Sequence, residues 1–176
     1  MVMTASTLAT KLKLIGRPAT AEELAQGWAD AWEAFIAEAV ELPSNATASG
    51  DPEALELFKT AILPMFSSDS TALQAATSIK DACKAFWGGT TALILFADVV
   101  PTPAGAFTLP PPFMATPASE LAFATALAGV FTANATGSLT ADDAYDNIAA
   151  AILAAPMAGA TFLDTLVPTP VLHTVS

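Results

Sequence analysis

Along most of the chain apolar residues return every three or four positions, the interval that puts side chains on one face of an α-helix. The clearest stripe is Leu24, Trp28, Ala31, Trp32, Phe35, Ile36 and Ala39, opposed by Asp30, Glu33, Glu38 and Glu41. Thr20 followed three residues later by Glu23 has the form of a capping box and predicts where this helix starts. A shorter helix over Thr4–Ile15 precedes it, closed by Gly16 and Pro18, with Lys11, Lys13 and Arg17 near its negative pole.

Further starts are written in the same code. Asp51–Pro52 opens a third helix that carries Leu55, Phe58, Ile62 and Phe66, with Pro64 fraying its end. A fourth begins near Asp69 or Ser70, turns Ala72, Ala76, Ile79, Cys83 and Phe86 inward, and stops at Gly88 and Gly89. Thr116–Pro117 caps a fifth with Leu121, Ala124, Leu127, Ala128 and Phe131, ending around Asn134 to Gly137. Thr140 with Asp143 starts a sixth, with Tyr145, Ile148, Ala149, Ile152 and Leu153 inward and Pro156 as its stop.

Between these helices the pattern breaks. The polar run Ser44–Gly50 reads as the end of the second helix and a connection. Thr90–Val100 fits either a buried helix or a buried strand; Ala92, Leu93, Leu95 and Ala97 favour a helix. Pro101, Pro103, Pro110, Pro111, Pro112 and Pro117 exclude a helix over 101–117 and predict an extended, polyproline-like course. Residues 160–176, with Val167, Val171, Leu172 and Val175 among Pro168 and Pro170, read as an extended arm or edge strand. The predicted fold is therefore all-α. It is one helical bundle of about six helices over 1–159, with a proline-rich extended loop and an extended C-terminal arm over 160–176.

Composition changes this picture at the surface. The 176 residues are 53% hydrophobic and 13% charged, with 17 acidic side chains against 6 basic ones. Ordinary domains carry about 25% charged residues, so the exterior of a lone molecule would be poorly wetted. All six bases, Lys11, Lys13, Arg17, Lys59, Lys80 and Lys84, lie in the first half, and beyond Lys84 the only charges are Asp98, Glu120, Asp142, Asp143, Asp146 and Asp164. Phosphate-backbone binding needs many basic contacts, so sequence-specific nucleic-acid binding is not expected. An acidic wall can still line a DNA channel, because repulsion keeps the polymer from sticking. Lys11 and Lys13 interrupt the stretch where a signal peptide would need its apolar run, and no apolar run reaches the roughly 20 residues of a spanning helix, so neither a signal peptide nor a membrane partner is expected.

The candidate chemistry is thin. Asp142, Asp143 and Asp146 form the D-D-x-x-D pattern that holds magnesium and diphosphate in terpenoid synthases, but no base follows Lys84 to bind the diphosphate. Three acids at a helix start also complement its positive pole, and that reading is preferred. Cys83 and His173 are the sole thiol and imidazole, one on a core stripe and one in the arm, which argues against a nucleophile pair. Trp28 and Trp32 sit one turn apart and read as core or subunit contacts. The N-A-T sequons at Asn45 and Asn134 read as chance in so Ala- and Thr-rich a chain. No cofactor is expected, and the protein is not expected to be an enzyme.

What must be explained is how the charge-poor second half is covered, and permanent interfaces, depleted in charge, are the natural answer. The W-A-D-A-W-E-A-F segment at Trp28–Phe35, K-A-F-W-G-G at Lys84–Gly89, P-P-P-F at Pro110–Phe113 and the closing V-P-T-P-V-L-H-T-V-S carry a resemblance to small structural proteins of tailed-bacteriophage virions. The likeness is one of style over the whole chain. It implies a non-enzymatic subunit of a ring or shell at the neck, head-to-tail connector or tail, built in the host cytoplasm and packed against copies of itself and other virion proteins. The expected assembly contacts are Pro110, Pro111, Pro112, Phe113, Met114, Val167, Val171 and Leu172. The alternatives are a capsid cement or decoration protein, and a small enzyme with a carboxylate-based site. A membrane-surface protein using Lys11, Lys13 and Arg17 is a further class.

Overall fold

The computed structural model describes residues 3–16, 20–38, 40–41, 46–88, 94–97, 107–109, 114–156, 161–164 and 171–174. Six α-helices make up its body, as the periodicity predicts: α1 (Ala5–Lys13), α2 (Ala21–Ile36), α3 (Pro52–Ile62), α4 (Ala72–Trp87), α5 (Pro117–Ala135) and α6 (Ala141–Ala154). Their starts are fixed by local chemistry. Thr20, Thr71 and Thr140 each accept from the backbone N–H three residues on, while Glu23, Gln74 and Asp143 bond back to the cap N–H. Each box satisfies two donors that an open helix end leaves orphaned. Asp51 does the same for α3 by accepting from Glu53 and Ala54, with Pro52 in the first turn. The start of α4 falls at Thr71, just beyond the expected Asp69 or Ser70, because only Thr71 has a Gln at the reciprocal position.

Helix ends follow equally specific causes. Pro64 converts the end of α3 into a 3-10 turn, Leu63–Phe66. Gly137 takes φ of +74°, a conformation costly for residues with a Cβ, and ends α5. Its N–H donates to Asn134 and that of Ser138 to Ala133, the bond pair of a Schellman motif.

The helices pack in a ring: each touches its successor in sequence, and α6 returns to α1. Trp32 stands at the centre, stacked on Phe58 at 4.8 Å between ring centroids and edge-on to Phe86 and Phe35. Phe86 in turn meets Trp87 edge-on at 5.3 Å. These side chains, with Leu8, Leu12, Ile62, Ile79, Leu127 and Ile152, are buried at 2% exposure or less. Gly27 lets the end of α1 close onto α2: a Cβ there would fall 2.9 Å from a carbon of Ile15. Lys13–Asp146 at 2.7 Å ties α1 to α6, and Lys84–Glu120 at 2.9 Å ties α4 to α5. At the other end of α1, Thr7 donates to Glu38 just beyond α2 at 2.6 Å.

Two small antiparallel sheets add to the bundle. The first orders β1 (Val40–Glu41), β2 (Ala46–Gly50) and β3 (Ile94–Ala97), with Thr47 opposite Ala97 and Gly50 opposite Ile94. The second orders β4 (Phe107–Leu109), β5 (Thr161–Asp164) and β6 (Val171–Thr174). Two readings are corrected. Residues 94–97 are strand rather than helix, because a short apolar run between Gly88–Gly89 and Pro101 has the length of a strand and finds β2 as its partner. Residues 46–50 belong to β2 rather than to a connection, though Ala, Ser and Gly carry little strand propensity; pairing on both sides overrides it. In the C-terminal arm, β5 and β6 pair with each other and β5 joins the proline-rich region through β4.

Candidate functional site

The expected chemical groups are mostly absorbed by structure. Asp143 closes the capping box of α6, and the hydroxyl of Thr140 holds its carboxyl below the ordinary carboxylate range. Asp146 accepts from Lys13 Nζ, a hydrogen bond that raises the lysine above its usual value. The three-acid pattern is thus a helix start and an inter-helix clamp, and no group of metal-ligating side chains occurs among the described residues. Cys83 is wholly buried in α4, and burial pushes its thiol far up, which keeps it protonated and unreactive. Trp28 and Trp32 are core residues at 3% and 1% exposure. Asn134 lies at the end of α5 and donates to the carbonyl of Leu139.

Of the expected assembly residues, Pro110, Pro111, Pro112, Phe113 and Val167 lie outside the described residues. Met114 is half-buried against the bundle core just before α5. Val171 and Leu172 occupy β6, paired with Asp164 and Leu163 of β5, and β6 is an edge of its sheet.

The surface of α5 is the departure from the rest of the bundle. Its inward side buries Phe123, Ala124 and Leu127, as an amphipathic helix should. Its outward side should then be charged or strongly polar, yet the exposed positions beyond Glu120 are Leu121, Ala122, Thr125, Ala126, Gly129, Thr132 and Ala135. Leu121 is 63% exposed. The helix has one charge, Glu120, and the salt bridge to Lys84 engages it. Gly129 has no internal reason to be glycine, since nothing lies within 4 Å of where its Cβ would stand. A mid-helix glycine costs about 1 kcal/mol relative to alanine. An uncharged face of small and apolar residues, open to close approach, has been kept on the outside of this molecule.

A second feature lies where the 3-10 turn meets α4. A groove of about 590 Å³ runs between Pro64 and one side of α4, with Ser67, Asp69 and Ser70 at the turn and Gln74, Ser78 and Asp81 along the helix. Sequence reasoning passed over it, because each residue reads as an ordinary polar position on a helix or turn. A smaller hollow of about 230 Å³ between α2 and α3 holds Asp30, Glu33, Glu56 and Lys59, the last two ion-paired at 3.4 Å.

No described helix is long and apolar enough to cross a membrane. The chain matches no protein family, no curated protein and no solved structure.

Proposed function

We propose that the protein is a non-enzymatic structural subunit of a multi-subunit assembly, in which α5 packs against a neighbouring copy. The observation that carries this reading is the outward face of α5, uncharged and built of small and apolar residues from Leu121 to Thr132 in a chain of net charge -11. Two such chains repel one another, so they associate where charge is least, and α5 is that place. A helix of 19 residues is about 28 Å long and presents a strip roughly 10 Å wide, well short of the ~800 Å² per partner of a standard interface. The rest of the contact falls to the second sheet, whose edges among the described residues, β4 and β6, could add strands of a neighbour. The proline-rich segment around Pro110–Phe113 and the arm residues Val167, Val171 and Leu172 belong to the same contact in this reading.

The setting we propose is a tailed-bacteriophage virion, at the neck, connector or tail, with the chain packed against copies of itself and other virion proteins. That choice rests on the style of the sequence, and an acidic, base-poor wall suits a channel through which DNA slides. Sedimentation velocity on the purified chain tests the structural reading. A defined oligomer is expected at micromolar concentration, strengthened by added NaCl because salt screens repulsion between like-charged copies. Thr125→Glu, which places a charge on the proposed seam at an exposed position, should return the protein to a monomer of unchanged helicity. A wild-type monomer at all salt concentrations ends the proposal.

A further inference from the structure

The groove beside α4 has features that its place in the fold does not explain. Ser78 is 8% exposed, lines the groove and makes no hydrogen bond through its side chain among the described residues. The Oγ of Ser70 is buried and unpartnered. Leaving a hydroxyl shielded from water and unpaired is unfavourable, which is the situation of the Ser70 Oγ, whereas the Ser78 Oγ belongs to a nearly buried residue but is not itself sealed from the groove. The volume falls within the ~300–1,000 Å³ of small-molecule sites.

The lining also selects a charge. Asp69 and Asp81 contribute carboxylates, and no basic side chain lines the groove among the described residues. Lys80 pairs with Asp81 from the neighbouring position and is not part of the lining. At the start of α4 the capping box satisfies the N–H groups of Thr71 and Gln74. An ammonium group has three donors and no acceptor, which is the complement of two carboxylates and a hydroxyl oxygen. Pro64, Ala61 and Leu73 supply apolar surface for a methylene stem.

We propose that this groove binds an alkylammonium group, with Asp69 and Asp81 neutralising its charge and the hydroxyl of Ser78 accepting one of its N–H bonds. The group can come from a free polyamine or from a lysine side chain of another protein. The proposal does not depend on whether the chain assembles.

Amide NMR titration of the full chain tests it with three probes: putrescine, Nα-acetyl-lysine methylamide, and 1,4-butanediol as an uncharged mimic of putrescine. Saturable shifts confined to residues 64–81 are expected with both amines, at least tenfold weaker with the diol, and the tighter amine identifies the source. Asp69→Asn should weaken binding about fivefold or more, and Ser78→Ala should weaken it without lowering the melting temperature. Lys80→Met, which removes the competing cation, should tighten it. Equal binding of diol and diamine would replace the proposal with a neutral polyol site. Shifts spread over the acidic face of α2, or no saturable shift with any probe, would overturn it. So would a Ser78→Ala variant that binds putrescine as tightly as wild type.

Discussion

Helices α2 and α5 have similar lengths, 16 and 19 residues, and both line the same core, but they meet the outside differently. On α2 the exposed positions are Glu22, Glu23, Gln26, Asp30 and Glu33, while Trp28, Trp32, Phe35 and Ile36 are buried and Leu24 is half-buried. On α5 the core side is complete with Phe123, Ala124 and Leu127, yet apolar and small residues continue around to the solvent side. One helix has spent its hydrophobic residues on folding. The other carries more than folding uses. A bundle closed by α1 against α6 needs no further cover over α5 for its own stability, and this excess is what the proposed assembly rests on.

The largest effect that sharpens this contrast is the loss of Trp32. Its ring is the only one in contact with Phe35, Phe58 and Phe86 together among the described residues, at centroid distances from 4.8 to 5.9 Å. Trp32→Ala should cost about 3–5 kcal/mol in chemical denaturation, enough to unfold a marginal domain. Leu121→Ala, which removes a large side chain that is 63% exposed, should stay within about 0.5 kcal/mol for the isolated chain. If Leu121→Ala matched the loss at Trp32, the outer face of α5 would be core after all and the contrast would fail.

A smaller effect separates folding from association at one atom. Gly129 has open space where a Cβ would stand, so Gly129→Ala should stabilise the monomer by about 0.4–1 kcal/mol. In the proposed assembly the same methyl would stand in the seam between copies and weaken their contact. Denaturation at a concentration where the chain is monomeric reads the first effect, and the sedimentation-derived dissociation constant reads the second. Gain in both would mean that no backbone approaches α5 closely, which breaks the packing argument while leaving its apolar character intact.

How much of this was legible differs by element. The helix starts were readable because a cap is a local device: Thr20 with Glu23, Asp51 with Pro52, Thr116 with Pro117 and Thr140 with Asp143 each act within four residues. The inward stripe of α2 was readable for the same reason. Residues 94–97 were not, because what makes them a strand is β2, more than forty residues earlier, and apolar spacing does not encode a distant partner. Ala46–Gly50 was missed on propensity, which is weakest where pairing decides. The charge shortage after Lys84 pointed to a covered surface but not to α5, since exposure depends on which side of the helix the ring of neighbours leaves free. The groove was invisible because Ser78 is ordinary as a residue type, and only burial without a partner marks it.

The smallest effects concern charge, and they divide the molecule along the same line. At the contact of α1 with α6, Lys13 is raised above its ordinary 10.5 by the hydrogen bond to Asp146, so its stabilising contribution is complete below that value. It fades as pH rises through the folded-state value. Asp143, lowered from 3.8 by the Thr140 hydroxyl, contributes fully above that value, and the contribution is lost as pH falls through the folded-state value. Both groups are exposed, so both limbs are shallow. Melting temperatures of wild type and Asp146→Asn should therefore differ at neutral pH and converge only at a pH above the ordinary lysine value, as Lys13 passes its raised folded-state value. The outer face of α5 holds no titrating side chain between Leu121 and Thr132. Self-association should accordingly be flat from about pH 7 to about pH 9, a range in which ordinary carboxylates and lysines do not change charge. A dissociation constant that drifts severalfold across that range would place a group that titrates there in the seam, and would move the interface away from the outer face of α5.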